Sequence, residues 1–352
     1  MTSRYPARRG TGLVLGGTAV AVGLALSGCG APDVVGHPPS HPSGVSAQPT
    51  STSNASSGPF APLTGLPVSA ARAGRPVVAL AIAGANPHGL GQADVVYEEI
   101  SSPIRYLALF QSRQASRVGP ITATRPSDGM IAGVLHAAVG YDGGTAGFID
   151  VLHHQQVRDM GEAVRPSLYH AGPAGVTTGT AGFAAGRPRP APQFFPFRGE
   201  GLLASHQLAD SGTWRAARAE IRMPGAPAEE WRYDAAAHLW QRTAGGPAAS
   251  VANLIVQLVP YKQVFLSHRD GITTPSAMIF GAGHATVLSG TAQTPAAGTL
   301  GLAVHANWAK PGVSDLTVYT AAGHGPVGFA PGRSWVILAP PGTRVTTTRS
   351  RS

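Results

Sequence analysis

The chain carries little charge and a single cysteine, and both features reduce the number of functions that it can have. Asp, Glu, Lys and Arg together make up 12% of the 352 residues, and the only lysines are Lys262 and Lys310. Because Cys29 is the only cysteine, no disulfide within the chain is available. The sequence also lacks Gly-x-Ser-x-Gly, a phosphate loop ending in Gly-Lys-Ser/Thr, Cys-x-x-Cys and His-Glu-x-x-His. These absences argue against the common hydrolases and zinc enzymes.

The first residues have the pattern of an export signal. A basic segment, residues 4–9, precedes an apolar stretch from Thr11 to Leu26 that is short for a membrane span, which needs about 20 residues. The stretch ends in Leu26-Ser27-Gly28-Cys29, which resembles the lipobox of bacterial lipoproteins. Small residues there let a peptidase reach the bond before Cys29, whose thiol then takes a diacylglycerol.

We therefore predict a lipoprotein signal peptide at residues 1–28 and a lipidated, palmitate-carrying Cys29. The protein is then anchored in the cell membrane on its extracytoplasmic face. Arg8-Arg9 leaves Sec and twin-arginine export as alternatives. Residues 29–58 are rich in Pro, Ser, Thr and Gly, a composition that does not bury enough apolar area to order itself, so they are expected to form a disordered tether.

The charge of the chain is positive but scattered. The formal net charge is +9, and no run of basic residues is interleaved with aromatics as in nucleic-acid grooves. We expect no nucleic-acid partner. Outside the membrane, such a surface suits anionic lipid or wall polymer, or it is a solvated surface without a partner.

Residues 59–212 alternate strand-like and helix-like patterns, which predicts an α/β N-terminal domain. Short apolar runs predict strands, and Met130, Ile131, Val134 and Leu135 have the spacing of a helix. The strand candidates are Val77–Ala83, Val95–Glu98, Tyr106–Gln111 and Ala137–Tyr141.

The pattern of residues 213–342 predicts a mostly β C-terminal domain. Residues 343–352 are rich in Thr, Ser and Arg, which predicts a disordered tail. Gly and Pro turns separate the strand candidates of this second domain. They are Ala219–Met223, Trp231–Asp234, Leu239–Thr243, Val251–Val259, His284–Leu288, Leu302–His305, Leu316–Tyr319 and Trp335–Leu338.

Several segments in a fixed order carry a resemblance to a known family. They are Pro62–Leu66, Arg75–Ala79, Ala93–Glu98, Arg105–Ser112, Trp308-Ala309-Lys310 and Pro331–Trp335. Together, over about 62–340, they resemble the YerB-like family of bacterial lipoproteins, a domain family with no established biochemical activity. The resemblance also implies a separate C-terminal domain. The chain departs from the family at Thr122, where Arg is usual, and at Asp142, where His is common.

Glu98, Arg105, Arg125 and Asp142 are the candidate ligand-binding residues. Glu98 ends an apolar β-rich run, Arg105 opens the next one, and Arg125 follows that run after a Gly-Pro turn. Asp142 follows a strand candidate, where α/β sheets bind ligands. The two arginines can hold a carboxylate or phosphate with their planar forks, and the two acids can orient or counter them. The alternative is a buried Glu–Arg network that holds two strands together.

Two further groups of residues are weaker candidates. His153 and His154 are adjacent, so on a helix they cannot share a face as metal ligands, and we predict no metal and no cofactor. Ser267, His268 and Asp270 are close in sequence, but triad members converge from distant segments, so a turn is the better interpretation.

The leading hypothesis from the sequence is a non-catalytic binding or scaffolding lipoprotein of the cell envelope that recognises an anionic ligand or a protein partner. The alternative is an envelope-acting enzyme with Glu98 or Asp142 as general acid or base. Whether the protein is an enzyme stays open at this stage. A third hypothesis, that the domains brace an assembly, predicts an exposed apolar patch in place of a pocket.

Overall fold

The computed structural model describes most of the chain after the predicted tether. The predicted signal peptide, Cys29 and nearly all of the tether lie outside the described residues. The structure describes residues 58–84, 86–184, 190–197, 213–267, 272–290, 300–321 and 325–348. They belong to one unit by their contacts. Within these ranges no helix is long and apolar enough to cross a bilayer.

The first half combines helices with short strands, and the elements predicted near Val77, Val95, Tyr106, Met130 and Ala137 lie where the sequence places them. The elements are α1 (Ala70–Ala73), β1 (Val78–Ala83), β2 (Val95–Glu99), β3 (Arg105–Phe110), α2 (Pro126–Ala132), β4 (Ala138–Gly140), α3 (Ala146–His154), β5 (Arg158–Asp159), β6 (Tyr169–His170) and β7 (Thr177–Thr178). Short 3-10 helices span Leu90–Gln92, Gly133–Leu135, Pro166–Leu168 and Ala181–Ala184.

In the second half, strands are the regular elements of the described residues, so the described protein is mostly β. The strands are β8 (Thr213–Ala216), β9 (Arg218–Arg222), β10 (Glu229–Asp234), β11 (Leu239–Ala244), β12 (Ser250–Val251), β13 (Asn253–Leu258), β14 (Tyr261–Ser267), β15 (Ile272–Ala277), β16 (Gly281–Ser289), β17 (Gly301–Lys310), β18 (Val318–Ala321), β19 (Gly325–Pro326), β20 (Ser334–Ala339) and β21 (Arg344–Thr348).

Strands from both halves form one mixed, 12-stranded sheet. Its order is β19-β18-β17-β16-β13-β20-β2-β3-β1-β4-β5, and β8 pairs with β17. The two halves meet where β20 lies parallel to β2, with Glu98 opposite Ile337. The predicted domain boundary at residues 212 and 213 borders residues 198–212, which the structure does not describe, and it stays a prediction.

The predicted disordered tail is wrong in part. Residues 344–348 form β21, which pairs antiparallel with β9 at the edge of a five-stranded sheet of order β12-β11-β10-β9-β21. The segment is rich in Thr with one Val, residues that favour strands, and the exposed edge of β9 supplies its backbone partners. Polarity alone therefore misassigned it.

Two hydrophobic cores lie on opposite faces of the large sheet, because successive side chains of a strand point to opposite faces. Tyr97 packs in the core that contains residues of α2, such as Ile131. Val96 packs in the other core, beneath residues of the five-stranded sheet such as Trp231. The adjacent acids that end β2 therefore enter two different interiors.

Candidate functional site

A buried ionic network centred on Arg105 lies on the α2 face of the large sheet. Arg105 opens β3 directly opposite Glu99 of β2. Its Nη1 atom donates to Asp128 Oδ1 at 2.8 Å and to Glu99 Oε2 at 3.3 Å. Its Nη2 atom donates to Asp128 Oδ2 and, at 3.2 Å, to the carbonyl oxygen of Ala123. Since Arg105 and Asp128 are 3% and 0% exposed, solvent does not reach the pair.

Neighbouring donors satisfy the two carboxylates of this network. Asp128 sits in the first turn of α2, where its Oδ2 accepts from the Thr124 hydroxyl at 3.1 Å and from the Arg125 amide at 2.9 Å. Glu99 Oε1 accepts from the Ala277 amide at 2.6 Å, and Oε2 accepts from the Ser127 hydroxyl at 3.1 Å. These bonds join β2, α2 and the β14–β15 hairpin into one unit.

Burial and the neighbouring charges have opposing effects on the pKa of each charged group in this network. Burial raises the pKa of Glu99, although Arg105 and the Ala277 amide oppose the rise. Burial disfavours the charged form of Arg105 as well, but Asp128 and Glu99 outweigh it and raise the pKa of Arg105. The guanidinium therefore stays charged.

A second buried network, centred on Arg242 of β11, lies on the opposite face. Arg242 Nη2 donates to Glu98 Oε2 at 2.5 Å and to Glu229 Oε2 at 2.7 Å. Trp335 Nε1 donates to Glu98 at 2.7 Å, and Trp231 Nε1 donates to Glu229 at 3.0 Å. The Arg242 guanidinium carbon lies 4.8 Å from the ring centroid of Trp231 and 4.7 Å from that of Trp335. The cation is stacked between two indoles.

This second network leaves polar atoms without partners. Oε1 of Glu98, Oε1 of Glu229, and Nε and Nη1 of Arg242 are buried and make no hydrogen bond within the described part of the chain. Burial, and next the charge of Glu98, raise the pKa of Glu229 from 4.5 to about 8. Glu229 therefore holds a proton at neutral pH.

The structure divides the four predicted site residues among separate surroundings. Glu98 and Arg105 are on adjacent strands, yet they point to opposite faces of the sheet, so they do not line one cleft. Both are buried, at 1% and 3% exposure. Residues that the sequence reasoning did not select complete the networks, namely Glu99, Asp128, Glu229 and Arg242. The alternation of β10, with Glu229 and Trp231 inward, is the signal that indicates Glu229.

Among the predicted site residues, Arg125 is the arginine whose charge is not paired with a described carboxylate. It is partly exposed and precedes α2. Its Nη2 atom lies 3.5 Å from Thr274 Oγ1, and its guanidinium carbon lies 5.8 Å from the ring centroid of Phe148. Its Nη1 atom is buried and has no hydrogen-bond partner in the described part of the chain, and no described carboxylate lies within ion-pair distance. Burial, followed by the charge of Arg105, lowers the pKa of Arg125.

Asp142 lies in the loop after β4, beside the segment that leads to Arg125. Its backbone amide donates to the Thr122 carbonyl at 2.9 Å, and the carbonyl of Gly143 accepts from the Thr124 amide at 3.1 Å. Gly143 and the next glycine have φ values of 79° and 140°, which favour glycine. The Asp142 carboxylate is partly exposed and forms no hydrogen bond or ion pair with a described residue.

The histidines and the tryptophans lie where packing and surface chemistry account for them. His153 Nε2 contacts Asp159 Oδ2 at 2.7 Å on the surface. Across the described residues, no group of three or more His, Cys, Asp or Glu side chains is placed to hold a metal ion. Trp308 is buried, and its Nε1 donates to the Leu258 carbonyl at 2.9 Å. His268 and Asp270 of the weak triad candidate lie outside the described residues.

Comparison with known proteins assigns the chain to a class of two-domain proteins. The family described as Protein of unknown function (DUF3048) N-terminal domain matches residues 63–174, and the corresponding C-terminal domain matches residues 219–336. The chain belongs to this YerB-like family of unknown function, which confirms the resemblance drawn from its sequence segments.

A solved structure has the same fold. The crystal structure of YerB protein from Bacillus subtilis matches with a TM-score of 0.63 and 16% sequence identity, over 82% of this chain and 99% of that chain. At that identity the similarity concerns the fold alone. No match was found among curated proteins.

Proposed function

We propose that this protein is a lipid-anchored, extracytoplasmic lipoprotein of the cell envelope that binds an anionic ligand or partner through Arg125 and performs no catalysis. It is held to the membrane through Cys29 and the tether that follows. The proposal includes an α/β domain at 59–212 and a β-rich domain at 213–342.

The observation that carries the binding proposal is the contrast between two arginines on one face of the sheet. Arg105 is enclosed and has two carboxylate partners, whereas Arg125 is partly exposed and has none among the described residues. A partly exposed guanidinium without a carboxylate partner is suited to a carboxylate or phosphate. Glu99 and Asp128 also act electrostatically on the Arg125 guanidinium, but their hydrogen bonds are directed to other groups, including the backbone amide of Arg125.

The same geometry favours binding over catalysis. Glu98, the first general acid or base considered from the sequence, is 1% exposed and bonded to Arg242, so a substrate does not reach it. Asp142 is accessible, but no described base, acid or nucleophile contacts its carboxylate. General acid–base catalysis needs a group within hydrogen-bond reach of the reacting atoms.

The binding proposal is tested by thermal shift on the full-length chain. The probes are muropeptides, glycerol phosphate, polyphosphate and wall sugars, each added to the natural protein, to Arg125→Ala and to Arg117→Ala, an exposed arginine that serves as the control. A ligand at 100 times its Kd stabilises the folded state by about 2.7 kcal/mol, which raises Tm by several degrees. We expect a shift that Arg117→Ala keeps and Arg125→Ala loses. A shift that survives in Arg125→Ala, or no shift with any probe, would contradict the proposal.

The anchor is tested separately in cells. Cells fed labelled palmitate are expected to label the natural chain and not Cys29→Ser, and the natural chain is expected to partition into detergent. Equal labelling of Cys29→Ser would exclude Cys29 as the attachment point. This result is independent of the test at Arg125.

A further inference from the structure

The outer face of the five-stranded sheet is open and charged. Its inner face packs Ile221 and Trp231 into the core below. Because side chains alternate along a strand, every second residue of β9, β10 and β21 points outward instead, and these outward residues are exposed or half-exposed. They include four arginines and three acids, so the face carries both signs of charge in nearly equal number.

The strand register places like charges directly opposite each other on this face. The three pairs are Arg218 with Arg232, Glu220 with Glu230, and Arg222 with Arg344. Like charges at opposite positions destabilise a sheet. Within the described residues, the face has one ion pair, from Arg222 Nη2 to Glu220 Oε1 at 2.6 Å, and both side chains are exposed enough that it contributes little. A single chain therefore leaves these repulsions largely uncompensated.

Along the strands, the outward charges form rows whose sign alternates. The order of the rows is Asp234, then Arg218 with Arg232, then Glu220 with Glu230, then Arg222 with Arg344. The signs are therefore negative, positive, negative and positive. Read from the other end, they are positive, negative, positive and negative, so the pattern is complementary to its own reverse. A second copy of the same face, turned end over end, supplies an opposite charge to every row.

We propose that this face binds the same face of a second copy of the chain and forms a twofold-symmetric dimer. The twofold axis runs across the strands between the second and third rows, so that the contact is isologous. Arg232 then faces Glu230 of the partner subunit, and Arg218 faces Glu220 of the partner subunit. The dimer is independent of the ligand proposed at Arg125.

The size of the face predicts a weak dimer. Its rows are about 6.8 Å apart and its strands are about 4.8 Å apart, so it measures roughly 20 Å in each direction. Two such faces bury on the order of 800 Å² in total, about half of a standard stable interface. Since charge pairs supply the contact, we expect a dimer at low ionic strength that dissociates in about 1 M NaCl, where the Debye length is about 3 Å.

Sedimentation equilibrium on the full-length chain tests the dimer. It is measured in about 50 mM and about 1 M NaCl, with a reductant that prevents Cys29 from cross-linking two chains. We expect the natural chain to associate in low salt. Arg232→Glu and Glu230→Arg should each raise the dimer Kd at least about tenfold, because each puts like charges across the axis. Arg117→Glu, which reverses an exposed charge outside this sheet, is the control and should dimerise like the natural chain.

Mixing the two variants distinguishes specific charge pairing from a general effect of charge. In a mixed dimer each altered side chain faces an opposite charge again, so a mixture of Arg232→Glu and Glu230→Arg should regain the natural Kd, and so should the double variant. The Tm of each variant at low protein concentration should not fall, because each substitution removes a repulsion within the chain. A natural chain that is monomeric throughout, association that is equal in both salts, or a mixture that stays dissociated would overturn the proposal.

Discussion

The two buried networks have the same composition and differ in how completely they are bonded. Each contains one arginine and two carboxylates. Around Arg105, two backbone amides and two hydroxyls complete the carboxylates, and Nε of Arg105 is the network's one atom among the buried groups without a partner in the described residues. Around Arg242, two indole NH groups donate, and four polar atoms lack partners within the part of the chain that the structure describes.

The difference shows that the hydrogen bonding of a buried ion pair depends on the donors that the surrounding elements supply. On the α2 face, a helix start and a hairpin supply short polar donors, so both carboxylates are fully hydrogen-bonded. On the opposite face, tryptophans cover the pair, and they supply stacking area with one donor each. The second network accommodates its extra acid by keeping a proton on Glu229.

Removing the arginines should produce the largest effect. Arg105→Met leaves two enclosed carboxylates, and we expect the free energy of unfolding to fall by about 3–5 kcal/mol. Arg242→Met should cost less, because Glu229 already holds a proton that it can share with Glu98. Urea denaturation at pH 7 measures both, with exposed Arg117→Met as the control. Equal losses would remove the distinction between the networks.

The protonation of Glu229 predicts that the stability contributed by the Arg242 network depends on pH. Between about pH 4.5, where this acid titrates in the unfolded chain, and about pH 8, its folded pKa, the folded state holds a proton that the unfolded state has released. The contribution of Glu229 to the free energy of unfolding is therefore at its full value below pH 4.5, and it is lost as the pH rises through 8. Glu229→Gln does not titrate, so its stability relative to the natural protein should increase from pH 5.5 to pH 8.5.

Urea denaturation at those pH values measures the effect, and Glu230→Gln, an exposed neighbour, is the matched control. A difference between Glu229→Gln and the natural chain that stays constant with pH would mean that Glu229 is ionised throughout.

Arg125→Ala tests the difference between Arg125 and Arg105, the two arginines on the α2 face. This side chain contributes one long contact with Thr274 and a ring contact with Phe148, so we expect the free energy of unfolding to fall by about 1 kcal/mol or less. Chemical denaturation in the absence of ligands measures it. A loss of several kcal/mol would place Arg125 inside the structural network beside Arg105 and argue against a binding role.

Asp142→Asn should have the smallest effect, within about 0.5 kcal/mol, because its carboxylate is partly exposed and bonds to no described residue. Asp128→Asn is the matched comparison, since it makes the same chemical change at a fully enclosed carboxylate and should destabilise the protein strongly. Similar losses for both variants would show that Asp142 has a partner on folding.

The sequence predicted the elements more successfully than the site. The apolar runs of β1, β2 and β3 and the strands β10 and β11 were confirmed, because each pattern depends on neighbouring residues. Glu98 was selected correctly as an unusual charge, but its partner Arg242 lies 144 residues away along the chain. Asp128 was not selected, because the start of a helix accounts for an acid there without an ion pair.

The sequence by itself determined the family, the mostly β second half, and the placement of charges at the ends of buried strands. Alternation along β2 also determines that Glu98 and Glu99 point to opposite faces. Only the tertiary structure decided that Arg105 and Arg242 lie on different faces, that Arg125 has no carboxylate partner among the described residues, and that Lys310 is buried. Side-chain direction is a local property of a strand, whereas an ion pair or a cavity depends on which distant segments pack together.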